Sequence, residues 1–64
     1  MRFQVTVRYG AQRQRYHAYA VEGEDARAAL AAAAEQMPER IAAEADLIEL
    51  RVAVEPDARS FLGG

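Results

Sequence analysis

Few side chains in this sequence are able to do covalent chemistry. There is one threonine, Thr6, one serine, Ser60, one histidine, His17, and no cysteine. Nucleophilic catalysis needs a nucleophile, a base and a group that orients the base. Thr6 lies inside an alternating stretch, Ser60 close to the last residue, and His17 between an arginine-rich segment and a run of alanine and tyrosine. Their spacing brings no two of them together. The carboxylates gather before and after an alanine-rich segment and in a late alternating one, where a solvated surface accounts for them. A metal centre needs three or four converging ligands, and His17 has no companion at such a spacing. Gly10, Gly23 and the pair Gly63-Gly64 make no phosphate-cradling loop. The sequence therefore reads as a non-enzymatic chain with no cofactor and no metal.

The arginines offer a different chemistry. All eight basic residues are arginine. Residues 1–20 hold Arg2, Arg8, Arg13 and Arg15 and no acid, a balance of +4. Residues 21–64 set four arginines against ten acids, a balance of −6, so the chain is −2 in all. Such asymmetry marks a candidate interaction surface. Arg2, Arg8, Arg15 and Arg51, joined by His17 and Tyr19, form the candidate binding set, on one open sheet face. Aromatic and cationic side chains on a sheet can hold nucleic acid by stacking and phosphate contact. Cross-strand pairing of the arginines with Glu49 and Glu55 is the plainer reading. The net acidity ranks nucleic acid behind a protein partner or self-association.

The elements that must position these residues follow from periodicity. Arg2 to Tyr9 alternates, with Phe3, Val5, Val7 and Tyr9 on one side, and reads as a half-buried strand. Gly10-Ala11-Gln12 reads as a hairpin turn, and Arg13 to Val21 as the returning strand. Tyr16, Ala18 and Ala20 are assigned to its inner side, leaving Arg15, His17 and Tyr19 outside. A slip of one residue reverses that choice. Glu24 to Met37 is the alanine-rich helix, with Gly23 as its N-cap and Pro38 as its stop. Ala26, Leu30, Ala33 and Met37 form its inward stripe, widened by Ala29 and Ala34. Residues 38–46 read either as a second short helix with Pro38 at its first position or as an irregular return with Ile41 plugging the core. Leu47 to Glu55 alternates again, with Ile48, Leu50, Val52 and Val54 apolar, and Pro56 ends it.

The expected fold is α+β: β-β-α-β, a three-stranded antiparallel sheet in the order 2-1-3 with one helix packed on one face. The expected core is Phe3, Val5, Val7, Leu30, Ala33, Ile48, Leu50 and Val52. Residues 1–64 read as a single small domain, with residues 57–64 a short C-terminal tail anchored by Phe61 and Leu62. No apolar run approaches the ~18 residues of a membrane span, and Met1-Arg2-Phe3-Gln4 opens no secretory signal. With no cysteine, these features suggest a cytoplasmic protein.

The end of the chain, Leu62-Gly63-Gly64, follows a β-hairpin and a helix. In that element order and that dipeptide the chain resembles ubiquitin-like proteins and bacterial sulfur carriers. The resemblance implies a conjugating tail, Gly63 and Gly64, whose terminal carboxylate is adenylated and carries an ester, amide or thiocarboxylate. Those folds place further strands between helix and tail, whereas here one clear strand follows the helix. The leading expectation is accordingly a small interaction domain of bacterial type that binds protein or itself. A carrier is the alternative, and a nucleic-acid module the second alternative.

Overall fold

The computed structural model describes residues 1–53. The order of elements is β1 (Arg2–Tyr9), a single 3-10 turn (Ala11–Arg13), β2 (Arg15–Glu22), α1 (Ala26–Gln36), α2 (Glu39–Glu44) and β3 (Leu47–Val52). The strands form one antiparallel sheet in the expected order, β2-β1-β3. α1 lies chiefly over β2, and α2 packs on β1.

The hairpin turn is longer than Gly10-Ala11-Gln12. Gly10 takes the left-handed conformation at φ 91°, which costs it nothing for want of a Cβ. Arg13 N–H then donates to Gly10 O at 2.9 Å, and Gln14 is itself left-handed at φ 49°. β2 therefore begins at Arg15, two residues later than expected.

The register sets the side-chain parity of β2. Phe3 stands opposite Val21, Val5 opposite Tyr19 and Val7 opposite His17. Gly23 N–H donates to Met1 O at 3.0 Å and extends the same register. Directly paired residues share a face, so Val21, Tyr19, His17 and Arg15 lie on the helix side, and Tyr16, Ala18 and Ala20 on the open side. This reverses the expected assignment. The physical reason is packing. Val21 and the body of Tyr19 bury far more apolar surface than two alanines would, and Tyr19 Oη finds a partner in α1, donating to Ala33 O at 2.7 Å.

α1 begins later than expected, at Ala26. Its N-cap is Asp25, whose Oδ1 accepts from Ala28 N–H at 2.9 Å, and not Gly23. A carboxylate oxygen satisfies a free helix N–H, which glycine cannot do. Gly23 instead lies against the helix, where a Cβ would come within 2.7 Å of Ala29 N. Met37 is extended, the geometry that Pro38 imposes on its predecessor. The second helix is present, with Pro38 at its N-cap and not at its first helical position.

The core consists of Phe3, Val5, Val7, Val21, Ala29, Ala33 and Ile41. Tyr9, Tyr19, Ala32, Met37, Ala45 and Leu50 pack around it. Leu30, expected inside, is 53% exposed, whereas Ala29, on the margin of the expected stripe, is fully buried. Small Ala29 and Ala33 let the helix backbone come down onto β2, close enough for the Tyr19 hydroxyl to reach it. Ile48 and Val52 lie on the expected face of β3, opposite Val7 and Phe3. They are nevertheless 52% and 48% exposed. One helix about 10 Å wide spans roughly two strand spacings of ~4.8 Å. With α1 over β2 and α2 over β1, little helix remains for β3.

Candidate functional site

The six residues expected to share one binding face are divided by the sheet. Arg2, Arg8 and Arg51 lie on the open face, with Gln4, Thr6 and Glu49. Arg15, His17 and Tyr19 project on the helix side, so the expected combination of arginines with His17 and Tyr19 does not form. Tyr16 takes their place on the open face, opposite Arg8. The misplacement follows from the parity of β2 alone.

Two of these three arginines, Arg8 and Arg51, are engaged with acids. Arg8 Nε donates to Asp46 Oδ1 at 2.9 Å. That hydrogen bond and the charge of Asp46 push the Arg8 guanidinium further up from its ordinary value. The contact also ties the start of β3 to the end of β1, where Asp46 N–H donates to Arg8 O at 3.0 Å. Arg51 Nη2 stands 3.5 Å from Glu49 Oε1 on the same strand.

His17 and Tyr19, two residues apart on β2, pack ring beside ring at a centroid distance of 5.3 Å. Both are partly buried. His17 sits opposite Val7, in apolar company. Among the described residues no group of three His, Asp or Glu side chains is placed to hold a metal ion. Ser60, Gly63 and Gly64 lie outside the described residues, as do Val54, Glu55, Pro56, Phe61 and Leu62.

A depression of about 670 Å³ opens at the turn end of the sheet, lined by Tyr9, Arg13, Arg15 and Glu44 among others. Its walls are the exposed hairpin turn and the end of α2, and among the described residues no polar or charged residue is buried.

The most distinctive surface is β3. Leu47, Ile48 and Val52 are each about half exposed. Leu47 projects on the open face, opposite Arg8, while Ile48, Leu50 and Val52 project on the helix face. Among the described residues no strand pairs with its outer edge. The main-chain phase follows from two bonds. Ala53 N–H donates to Arg2 O at 2.9 Å, and Gly23 N–H to Met1 O. Hydrogen-bonded pairs alternate along an antiparallel ladder. Even-numbered residues of β1 thus bond to β3 and odd-numbered ones to β2. Glu49 and Arg51 turn their main-chain groups toward β1, and Ile48, Leu50 and Val52 turn theirs outward. This surface was missed in the sequence, although a signal for it exists. Leu47 and Ile48 are adjacent, so β3 is apolar at both parities, and one alanine helix is too narrow to cover three strands.

None of the helices among the described residues is long and apolar enough to cross a membrane. The sequence matches no protein-family model, no curated protein and no solved structure.

Proposed function

We propose that the chain is a small non-enzymatic interaction domain that binds protein through the β3 side of its sheet. The observation that carries this reading is the exposure of Ile48 and Val52 beside a strand edge that, among the described residues, no other strand pairs with. An edge of free N–H and C=O groups with apolar side chains alongside is a template for another strand. A non-catalytic role is supported by the chemistry-bearing residues. His17 is packed beside Tyr19 and opposite Val7, and Thr6 stands opposite Ala18 and Glu49. A cytoplasmic setting accords with the absence of cysteine.

Site-specific photo-crosslinking in the native cell tests the reading. A photoreactive residue at Ile48 should yield protein adducts, identified by mass, that the same residue at exposed Ala43 on α2 does not. Equal adducts from both positions, or none from Ile48 in a folded chain, would remove β3 as the binding surface.

A further inference from the structure

We infer that the partner of β3 is a second copy of this chain, paired antiparallel through β3 about a two-fold axis at Leu50. The inference rests on the proposed role of β3 as the binding surface and adds the identity of the occupant.

The strand itself reads Leu47-Ile48-Glu49-Leu50-Arg51-Val52. It is self-complementary about its fourth residue. With Leu50 opposite Leu50 of the second copy, Glu49 meets Arg51, Arg51 meets Glu49, and Ile48 meets Val52. Each pair lies on one face. Glu49 and Arg51 stand on the open side, and Ile48, Leu50 and Val52 on the helix side. Opposite charges thus meet opposite charges in water, and apolar side chains meet apolar ones beside the core. Both arrangements stabilise cross-strand pairs.

Other registers lack this match. A shift by two residues one way places Glu49 opposite Glu49, and the other way Arg51 opposite Arg51. Both are like-charge contacts, which destabilise a ladder. A shift by one residue sets the helix side of one copy against the open side of the other, opposing apolar residues to Glu49 and Arg51. The charges select one register of those available.

The main chain agrees. Ile48, Leu50 and Val52 already aim their N–H and C=O groups at the outer edge, as the bonds of Ala53 and Gly23 require. In the Leu50-centred register these residues form hydrogen-bonded pairs, Leu50 with its own copy and Ile48 with Val52. The two sheets then join into one of six strands in the order β2-β1-β3-β3-β1-β2. Both pairs of helices stay on one side, because a two-fold axis perpendicular to the sheet preserves its faces. The half-exposed Ile48 and Val52 become a continuous apolar strip across the junction. A contact this short is at the small end of specific interfaces, so association should depend on concentration.

Sedimentation equilibrium of the full chain, from about 10 μM to about 1 mM, tests the pairing with three variants. Wild type should show a monomer–dimer equilibrium. Glu49→Arg and Arg51→Glu each turn both charge contacts from attractive to repulsive and should weaken the dimer roughly tenfold. The double variant Glu49→Arg/Arg51→Glu restores opposite charges and should recover the wild-type constant. The two single variants complement one another, so their mixture should associate more tightly than either alone. Both positions are exposed, and thermal melts confirm that each variant is folded. A wild-type chain that stays monomeric throughout overturns the self-pairing, as does a dimer indifferent to the single swaps or unrecovered by the double one. If the chain is monomeric while Ile48 still crosslinks another protein, self-pairing fails and the interaction-domain reading stands.

Discussion

The hydroxyl of Tyr19 donates to the main-chain carbonyl of Ala33 at 2.7 Å, joining β2 to the middle of α1. The side chain spans the space that two small residues, Ala29 and Ala33, leave above the strand. This one contact fixes how near the helix lies and shows which parity of β2 faces it. Tyr19→Phe keeps the ring and removes the donor. It should lower stability by about 0.5–1.5 kcal/mol in a urea titration.

The same residue supplies a pH dependence. Burial pushes the Tyr19 phenol up from its ordinary value of 10.0. A folded-state value above the unfolded one leaves stability intact below pH about 10 and removes it as pH rises past that point, because the unfolded chain ionises first. Wild type should lose more stability between pH 9 and 11 than Tyr19→Phe does, by roughly the linkage of one tyrosine. Parallel alkaline curves for the two proteins would show that Tyr19 ionises as freely folded as unfolded.

Gly23 is required for space. Its Cβ position lies 2.7 Å from Ala29 N and 3.0 Å from Ala29 Cα, both backbone atoms that cannot swing aside. Gly23→Ala should cost about 1–3 kcal/mol, as overpacking does, with a lowered urea midpoint and an unchanged slope. A neutral effect would mean that the loop before α1 relaxes freely.

Ile41 on α2 and Leu30 on α1 test which helix side chains carry the core. Ile41 is 4% exposed, so Ile41→Ala should cost about 2–5 kcal/mol, a large part of the stability of so small a fold. Leu30, 53% exposed, should lose less than about 1 kcal/mol on the same change. A loss of about 2 kcal/mol or more for Leu30→Ala in thermal melts would restore Leu30 to the core.

Asp25 caps α1 through Ala28 N–H. Asp25→Ala should cost about 0.5–2 kcal/mol, and Asp25→Asn much less, since the amide oxygen can still accept. Helical circular dichroism of the two variants compares them directly.

The engagement of Arg8 with Asp46 and of Arg51 with Glu49 predicts that single-stranded DNA of mixed sequence does not bind at low salt. Binding that fades with salt and weakens on Arg8→Ala would bring the nucleic-acid reading forward.

Much of the fold was written locally. Alternation in Arg2–Tyr9 and in Leu47–Glu55 marked two strands and their inner faces, with β3 ending at Val52 ahead of Ala53, because period two is a property of the strand alone. Alanine content and Pro38 marked a helix and its end, because propensity and the missing N–H act within a few residues. The sheet order followed from the hairpin and the crossover. The interior of β1, with Phe3, Val5 and Val7, was legible for the same reason.

What tertiary structure decided were the quantities that depend on two elements at once. The parity of β2 hung on the length of the hairpin turn and on whether Tyr19 or Tyr16 packs better against a helix. An error of one residue there moved Arg15, His17 and Tyr19 to the wrong side and dissolved the expected site. The inward face of α1 hung on how close the helix comes to β2, so within the expected stripe Ala29 and Ala33 are buried and the larger Leu30 is not. The exposure of β3 hung on where a narrow helix sits over three strands. Alternation tells which side chains share a face, and only packing decides whether anything covers that face.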